Sequence, residues 1–572
     1  MRAVRQLVGL AHRNPLHLTM LAREIHERGA IRRRPGGESF LDTSALNELE
    51  PIALGPWIAA RELAPLAPEL VALARVCAVV GDDLERDELA AVVEAVERAG
   101  GPTTMIDLDI GLRELTTAGI LGSTPRGHAF RQPLVEEGIY ATTDDSVRRM
   151  IHEAALVYCS ALPNAGSIAA RIARHAEAVG STSVAASAFA ALGEIAEREY
   201  RMLDADQAWS GALRNLAVRD LTRARALVGL AQARLRLHRL HEALSSLEEA
   251  TSIAIEIGDL ELEIAALLHQ GIVLDFIEDF DRSKEVAARA RTRLATATTV
   301  DRALMIDIEL AEGRALFREH RFADCARALR AVLVDARAAN RAETASIAGL
   351  LLGCSLADLR ELDEAERVFG EMIADCEARG DRFHLAAAYG NRAWLWSARG
   401  QIERTAADLR LAIELARESG QAHFERVATH NLGEHLLWEN QLDEALQLAR
   451  RGLALQTRAG EGTTRPDRLL LARILAARGE LEELAQLVDT FATEAIDEDE
   501  GMVIGVLRAL LSHGDSAMWD TALAVTTGLY VQLRLELWML AAHQGRLRED
   551  LRAQWIEAAG ADPIWSRRIG EL

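Results

Sequence analysis

The tetrapeptide Leu240-His241-Glu242-Ala243 begins a pattern that returns six more times along the chain. The later copies are Phe280…Ser283, Phe322…Cys325, Leu362…Ala365, Ile402…Thr405, Leu442…Ala445 and Leu481…Leu484. Their last residues follow one another in steps of 40, 42, 40, 40, 40 and 39 residues. The first position is always large and apolar, and the fourth is small in six of the seven copies. Steps of this length indicate an array of repeated structural units.

A second column of small residues lies twelve positions before each fourth residue. It contains Ala231, Gly271, Gly313, Gly353, Ala393, Gly433 and Ala472. Because glycine in a helix interior costs about 1 kcal/mol relative to alanine, its recurrence suggests a close contact with another helix. Helix-stopping residues end several units, at Gly258, Asn340, Gly380, Gly420 and Gly460. Each unit is therefore predicted to be a helix-turn-helix pair, and residues 219–497 to form a solenoid of about seven units.

This pairing of columns resembles the tetratricopeptide repeat family. Asn391-Arg392-Ala393 and Asn431-Leu432-Gly433 are similar to the Asn-Leu-Gly of that family's first helix. Units near 40 residues exceed the family's usual length of about 34 and resemble the MalT-like solenoids of large bacterial signalling regulators. The resemblance implies an all-α fold, a tetratricopeptide-like superhelix in which the first helices line an inner surface.

A second resemblance concerns the N-terminal residues. Residues 1–31, which contain Asn14-Pro15-Leu16, are similar to the lid of bacterial STAND-type ATPases of the LuxR-like and kinase-linked classes. Arg13 replaces the glycine that is usual there. Residues 32–56 are predicted to be a linker, and the basic run at its start a solvated loop.

Residues 57–140 are predicted to be a small winged-helix domain. Apolar-periodic runs predict helices over 63–80, 87–99 and 106–118, and the turn at 124–127 predicts a β-hairpin. The stretch from Phe130 to Tyr140 resembles the segment after the wing in the same ATPase family, with Gln132 where histidine is usual. That resemblance implies a packing and regulatory module.

The remaining segments are predicted to be helical. Residues 141–218 join the winged helix to the solenoid and include a degenerate repeat marked by Ala196 and Ala208. Residues 498–572 form a predicted cap, which an array needs to cover its last apolar face. The cap region contains Trp519, Trp538, Trp555 and Trp565.

Composition and charge exclude several classes of partner. The formal net charge of −22 repels the phosphate backbone of nucleic acids, so direct nucleic-acid binding is not expected. The predicted third helix of the winged domain carries three acidic residues against Arg113, which disfavours it as a recognition helix. No apolar run is long enough to predict a membrane span, and charged residues interrupt the first 21 positions, which excludes a signal peptide. A cytoplasmic location is expected.

The sequence contains no recognised catalytic or metal-binding pattern. It has no G-x-x-x-x-G-K-[ST] loop for a nucleotide, no H-E-x-x-H, no G-x-S-x-G and no Cys-x-x-Cys. The five cysteines are interpreted as small core residues. The spacing of His423, His430 and His435 does not place three ligands on one helix face, and the acidic run 497–500 is interpreted as a linker. The prediction is a protein with no catalytic residues, metal or cofactor.

The candidate binding residues lie on the predicted inner surface. They are Asn391, Arg392, Trp394, His430, Asn431 and Trp438, and the asparagines match the family's peptide-contact position. Amides, a guanidinium and indoles can hold an extended peptide or a small polar ligand. The alternative for Trp394 and Trp438 is a place in the core between helix pairs.

These features favour a regulatory protein of bacterial signal transduction. It is expected to bind a protein, a peptide or a small-molecule inducer through its solenoid. Two alternatives remain open: a C-terminal fragment of a STAND-type ATPase whose nucleotide-binding domain lies upstream, and a passive assembly scaffold.

Overall fold

Helices dominate the part of the chain that the computed structural model describes. That part comprises residues 31–33, 39–41, 54–81, 83–102, 106–162, 166–296, 301–459, 464–494, 496–512, 515–562 and 564–568. Among these residues, strands are confined to two short antiparallel pairs and the rest of the regular structure is helical. The predicted all-α class is therefore confirmed. The chain divides into two compact units, Met1–Leu192 with Gly211–Leu216, and Gly193–Ser210 with Ala217–Leu572. Over the same ranges, no helix combines the length and the apolar character that a bilayer crossing requires.

The first unit contains both hairpins. Its helices are α1 Leu54–Leu63, α2 Pro68–Val80, α3 Arg86–Arg98, α4 Leu108–Thr117, α5 Pro133–Thr142, α6 Asp145–Ser160 and α7 Gly166–Val179. Its strands are β1 Ile31–Arg33, β2 Ser39–Leu41, β3 Leu121–Thr124 and β4 Gly127–Phe130. Helices α8 Thr182–Arg198 and α9 Met202–Arg214 contribute residues to both units.

The hairpin predicted in the first unit is confirmed, since Leu121 pairs with Phe130 and Thr124 with Gly127. The predicted helix over 63–80 is corrected: α1 ends at Leu63 and α2 begins at Pro68, because proline fits the first turn of a helix but not its interior. Apolar side chains of α2, α3, α4 and α6 form one core. The assignment of this region as a winged helix stays a prediction.

The segment before α1 also differs from its prediction in part. The basic run was expected in a loop, yet Arg32 and Arg33 lie in β1, which pairs antiparallel with β2. Extended neighbours satisfy each other's backbone groups, and the strand-compatible residues flank a Pro-Gly-Gly sequence typical of hairpins. The lid-like stretch 1–30 lies outside the described residues.

The second unit contains the solenoid. Its first helices are α10 Leu221–Arg236, α12 Leu260–Ile277, α14 Arg302–Arg318, α16 Ala342–Asp358, α18 Arg382–Ala398, α20 Ala422–Trp438 and α22 Arg465–Arg478. Its second helices are α11 Leu240–Ile257, α13 Phe280–Leu294, α15 Phe322–Ala338, α17 Leu362–Arg379, α19 Ile402–Glu418, α21 Leu442–Ala459 and α23 Leu481–Asp489. Every second helix begins at the large apolar residue that opens a sequence copy. The predicted helix pairs and their register are confirmed, and the fold is a tetratricopeptide-like helical solenoid.

A left-handed residue stands in the turn of every pair, two positions before the second helix begins. These residues are His238, Glu278, His320, Arg360, Gly400, Asn440 and Gly479, with φ between 56° and 73°. The same turn, with Tyr200 at φ 56°, joins α8 to α9. The segment predicted as a degenerate repeat therefore has the repeat's turn geometry. Of the predicted stops between units, Gly258, Asn340, Gly380 and Gly420 also have positive φ, and Gly460 lies outside the described residues.

The small-residue column marks contacts between helices. A Cβ placed on Gly353 would lie 2.7 Å from Cζ of Phe369, which belongs to α17 of the same unit. A Cβ on Gly433 would lie 3.3 Å from Leu470 of the next unit. The close approach predicted for both positions is observed, and it is tighter at Gly353.

The C-terminal segment covers the last unit. Its helices are α24 Glu498–Leu511, α25 Ser516–Val525, α26 Val531–His543, α27 Glu549–Ala561 and α28 Trp565–Arg568. The four tryptophans of this region are buried in the core that also contains the last repeats. The acidic run is not a linker: Asp497 caps α24 in a capping box with Glu500, because carboxylates are favoured at a helix N-terminus.

Candidate ligand-binding cavity

The inner surface of the solenoid encloses a cavity of about 280 Å³. All of its wall comes from first helices, and it takes residues from α10, α12, α14, α16, α18 and α20. Its apolar wall consists of Leu235, Ile272, Phe276, Phe317, Ile347, Leu350, Leu351, Phe383, Ala387 and Phe424. A concave, largely apolar wall with a few polar groups is the usual form of a small-molecule or peptide site.

Two ion pairs interrupt this apolar wall. Arg314 of α14 pairs with Asp275 of α12, and both side chains are nearly buried. Arg236 of α10 pairs with Glu343 of α16 at 2.9 Å. Burial acts to raise the pKa of Glu343, but Arg236 and two neighbouring histidines hold it below its usual value. The carboxyl of Glu343 is therefore ionised near neutral pH.

Uncharged polar groups supply directional contacts. Nε2 of Gln232 donates to Nε2 of His269 at 2.7 Å, because Nδ1 of His269 donates to the carbonyl of Ala265 at 2.8 Å. Nδ2 of Asn391 donates to the carbonyl of Ala387 at 2.8 Å, and its Oδ1 accepts from the thiol of Cys354 at 3.5 Å. The wall thus contains fixed amide and imidazole groups at defined positions.

A second chamber of about 510 Å³ adjoins the first. The two share Gln232, His269, Ile272, Arg314, Glu343 and Ile347. The second chamber adds an ion pair between Arg341 and Asp307, and Thr344 donates to the same carboxylate at 2.7 Å.

Side chains of distant units also contact one another around the first chamber, and Arg236, Phe276 and Phe383 of these contacts belong to its wall. The imidazoles of His238 and His423 stack at 3.9 Å between centroids, and Phe276 packs edge-on against both. The guanidinium of Arg236 lies 4.8 Å from the ring centroid of Phe383. Burial, reinforced by the neighbouring His238, lowers the pKa of His423 to about 3, so this stack is uncharged near neutral pH. These contacts, here named the bridge, join the first two units to the fifth and sixth.

The structure separates the six predicted binding residues. Asn391 lines the cavity. Asn431 is exposed and Trp394 is 44% exposed, and neither belongs to the wall of either chamber.

The other three predicted residues make internal contacts. Arg392 forms a two-point ion pair with Asp408 at 2.7 and 2.9 Å. Nδ1 of His430 lies 2.9 Å from Asp467. Trp438 is buried and donates to Glu536 at 2.8 Å, which fits the alternative of a core position. A ligand-binding role for these residues stays a prediction.

Sequence reasoning missed most of the cavity wall. Phe276, Phe317, Phe383 and Phe424 lie outside the column that matches the family's contact position. A usable signal was present, because four of the chain's eleven phenylalanines lie near the ends of first helices. Within the described residues, no cluster of metal-binding side chains is formed.

No family model matches the chain. No curated protein matches it either. Among solved structures, it is similar to a STAND protein with a tetratricopeptide repeat sensor from Pyrococcus horikoshii, at 12% identity over 84% of this chain and 68% of that one, with a TM-score of 0.43. The apo form of RapI is 12% identical over 61% of this chain and 98% of its own, with a TM-score of 0.44. A Rap protein complexed with competence and sporulation factor is 12% identical over 64% of this chain and 99% of its own, with a TM-score of 0.41.

Proposed function

We propose that this chain is a non-catalytic regulatory protein whose solenoid binds a peptide or a small molecule in the inner cavity. The observation that carries the proposal is the origin of the wall. Six first helices from six successive units contribute to one site, and the bridge joins the first two of these units to the last two. Cytoplasmic bacterial signalling is the setting that we propose for it.

Ligand binding in such a site is coupled to the pitch of the solenoid. Each unit packs mainly on its neighbours, so small rotations between units add up along the array. A ligand that touches six units favours the pitch at which all six contacts are made. The same ligand stabilises the contact between His238 and His423, which joins the first unit to the sixth. Ligand binding thus changes the shape of the surface that a protein partner contacts.

The chemistry of the wall supports binding rather than catalysis. Cys354 is the nucleophilic side chain that the first chamber offers among its described residues. Burial raises the pKa of its thiol to about 12, so it is protonated and unreactive near neutral pH. His384 is held by Asp381, which accepts from its Nδ1 at 2.8 Å. Burial opposes ionisation of Asp381, but that histidine lowers the carboxyl pKa to about 2, so the pair is a fixed polar element of the wall.

The experiment measures the binding of an uncharged apolar probe to the unmodified chain and to a variant in which a large side chain fills the cavity. N-phenyl-1-naphthylamine becomes fluorescent in apolar surroundings and carries no charge at neutral pH. The variant Asn391→Trp places an indole in the wall, and Asn431→Trp places one at the matching exposed position one unit later. We expect saturable binding to the unmodified chain and to Asn431→Trp, and loss of it in Asn391→Trp.

Melting temperatures of both variants report whether the fold is intact. A folded Asn391→Trp that binds the probe as tightly as Asn431→Trp would contradict the assignment of the cavity. Absence of saturable binding to the unmodified chain would contradict the proposed function itself.

A further inference from the structure

A stack of two imidazoles joins the sixth unit of the solenoid to the first. His238 lies in the turn between α10 and α11, and His423 lies in the first turn of α20. The two ring planes are inclined by 17° and their centroids are 3.9 Å apart, so the rings lie face to face. Phe276 of the second unit packs edge-on against both, at 6.5 and 6.2 Å. Aromatic contacts thus hold together units that are far apart along the chain.

Aromatic rings and a guanidinium surround this imidazole stack. Besides Phe276 of α12, the ring of Phe424 of α20 packs on His423 with centroids 5.7 Å apart. Arg426 of α20 is the charged group that acts on both imidazoles. Its own charge is paired with the buried carboxylate of Asp467 at 2.9 Å. A proton added to either imidazole therefore places a positive charge against a second imidazole and close to a guanidinium.

The stacked rings accept a proton less readily than separated rings. Burial, and after it Arg426, lowers the pKa of His238. Burial, His238 and Arg426 together lower the pKa of His423 to about 3. An imidazole that leaves the contact returns to an ordinary pKa of about 6.5, so acid favours separation. Both side chains are only half-buried, so a proton can reach them while the helices stay folded.

We propose that the imidazole stack is an acid-sensitive switch that holds the sixth unit against the first two near neutral pH and releases it when a ring is protonated. For His423 alone, a fall from pH 7.5 to 5 shifts the balance toward the separated form about thirtyfold. The ion pair of Arg236 with Glu343 does not depend on this proton, so the contact between the first and fourth units persists.

This switch goes beyond the proposed function, and its test uses no ligand. Pulsed electron spin resonance measures the distance between spin labels at Ser245→Cys in α11 and Gln447→Cys in α21, both exposed positions. The five native cysteines are buried, so the labels attach to the introduced thiols. We expect one distance at pH 7.5 and a growing population with a longer distance at pH 5. Helical circular dichroism should be the same at both pH values.

Variants of the labelled chain assign the response to the stack. In the double variant His238→Phe with His423→Phe the rings can still pack but cannot gain a proton, so the distance should not depend on pH. His423→Phe alone should reduce the change, because one titrating ring remains. His241→Phe, at an exposed histidine of α11, is the matched control and should keep the full change.

Three results would overturn the switch. The first is a labelled chain with unmodified histidines whose distance is the same at pH 7.5 and pH 5. The second is a double variant that shows the same change as that chain, because the titrating group would then lie elsewhere. The third is loss of the change in His241→Phe, which would assign the response to the exposed histidine.

Discussion

Two glycines of one repeat unit provide a matched test of the packing. Gly353 lies in the interior of α16 and Gly370 in the interior of α17. A Cβ on Gly353 would meet three ring carbons of Phe369 at 2.7, 2.8 and 3.0 Å, whereas a Cβ on Gly370 would meet nothing within 4 Å. Both substitutions to alanine gain the same helix propensity, and only one of them overpacks a contact.

The expected magnitudes follow from these distances. Replacing glycine by alanine inside a helix gains about 1 kcal/mol. Forcing a methyl group into a packed contact costs about 1–3 kcal/mol, and Phe369 is fully buried, so its ring has little room to move. Gly370→Ala should therefore stabilise its unit by up to about 1 kcal/mol, and Gly353→Ala should lie about 1–3 kcal/mol below it. Gly353→Leu should be worse than either.

Native-state hydrogen exchange of the amides in α16 and α17 is the suitable assay, because an array of units need not unfold in one step. The exchange of the first compact unit serves as the internal reference and should not change. Phe369→Leu combined with Gly353→Ala should recover part of the loss, since the shorter side chain vacates the contact. Equal shifts for the two alanine variants, or a stabilised Gly353→Ala, would show that the assigned helix contact is wrong.

Three further predictions concern pH, the candidate residues and nucleotide binding. Because the pKa of His423 is lowered to about 3 in the folded chain, the imidazole is protonated in the unfolded chain first as pH falls below 6.5. This difference should lower the free energy of unfolding by about 2 kcal/mol at pH 5. When the pH of urea unfolding is lowered from 7.5 to 5, the free energy of unfolding of His423→Phe should therefore rise by that amount relative to the unmodified chain. A difference that does not change with pH would refute the assignment. Arg392→Ala removes the ion-pair partner of Asp408 and should lose about 2 kcal/mol of stability in urea unfolding, whereas exposed Asn431→Ala should stay within about 0.5 kcal/mol. The reverse order would mean that the repeat register is wrong. Calorimetry with Mg-ATP should show no micromolar binding, and a clear isotherm would contradict the non-catalytic proposal.

The sequence by itself determined the local architecture of the solenoid. A large apolar residue recurs at the start of seven copies, followed three positions later by a small residue in six of them, and each copy begins a second helix where expected. This works because helix periodicity, turn residues and the contact between paired helices all act within about 40 residues. The close contact at Gly353 follows from the same short-range pattern, since Phe369 lies in the partner helix of the same unit. Local reasoning failed at 63–80, where Pro68 starts a new helix, and at the acidic run, where Asp497 is a cap.

Only the tertiary structure decided which units meet across the inner surface. Arg236 meets Glu343, and His238 stacks on His423, although no repeat column relates these residues. Their meeting depends on a small rotation between neighbouring units that accumulates over several repeats. A change of a few degrees per unit would separate the bridge while leaving every helix and turn intact. The cavity and the partner of Trp438 belong to this level, because they join residues from distant parts of the chain.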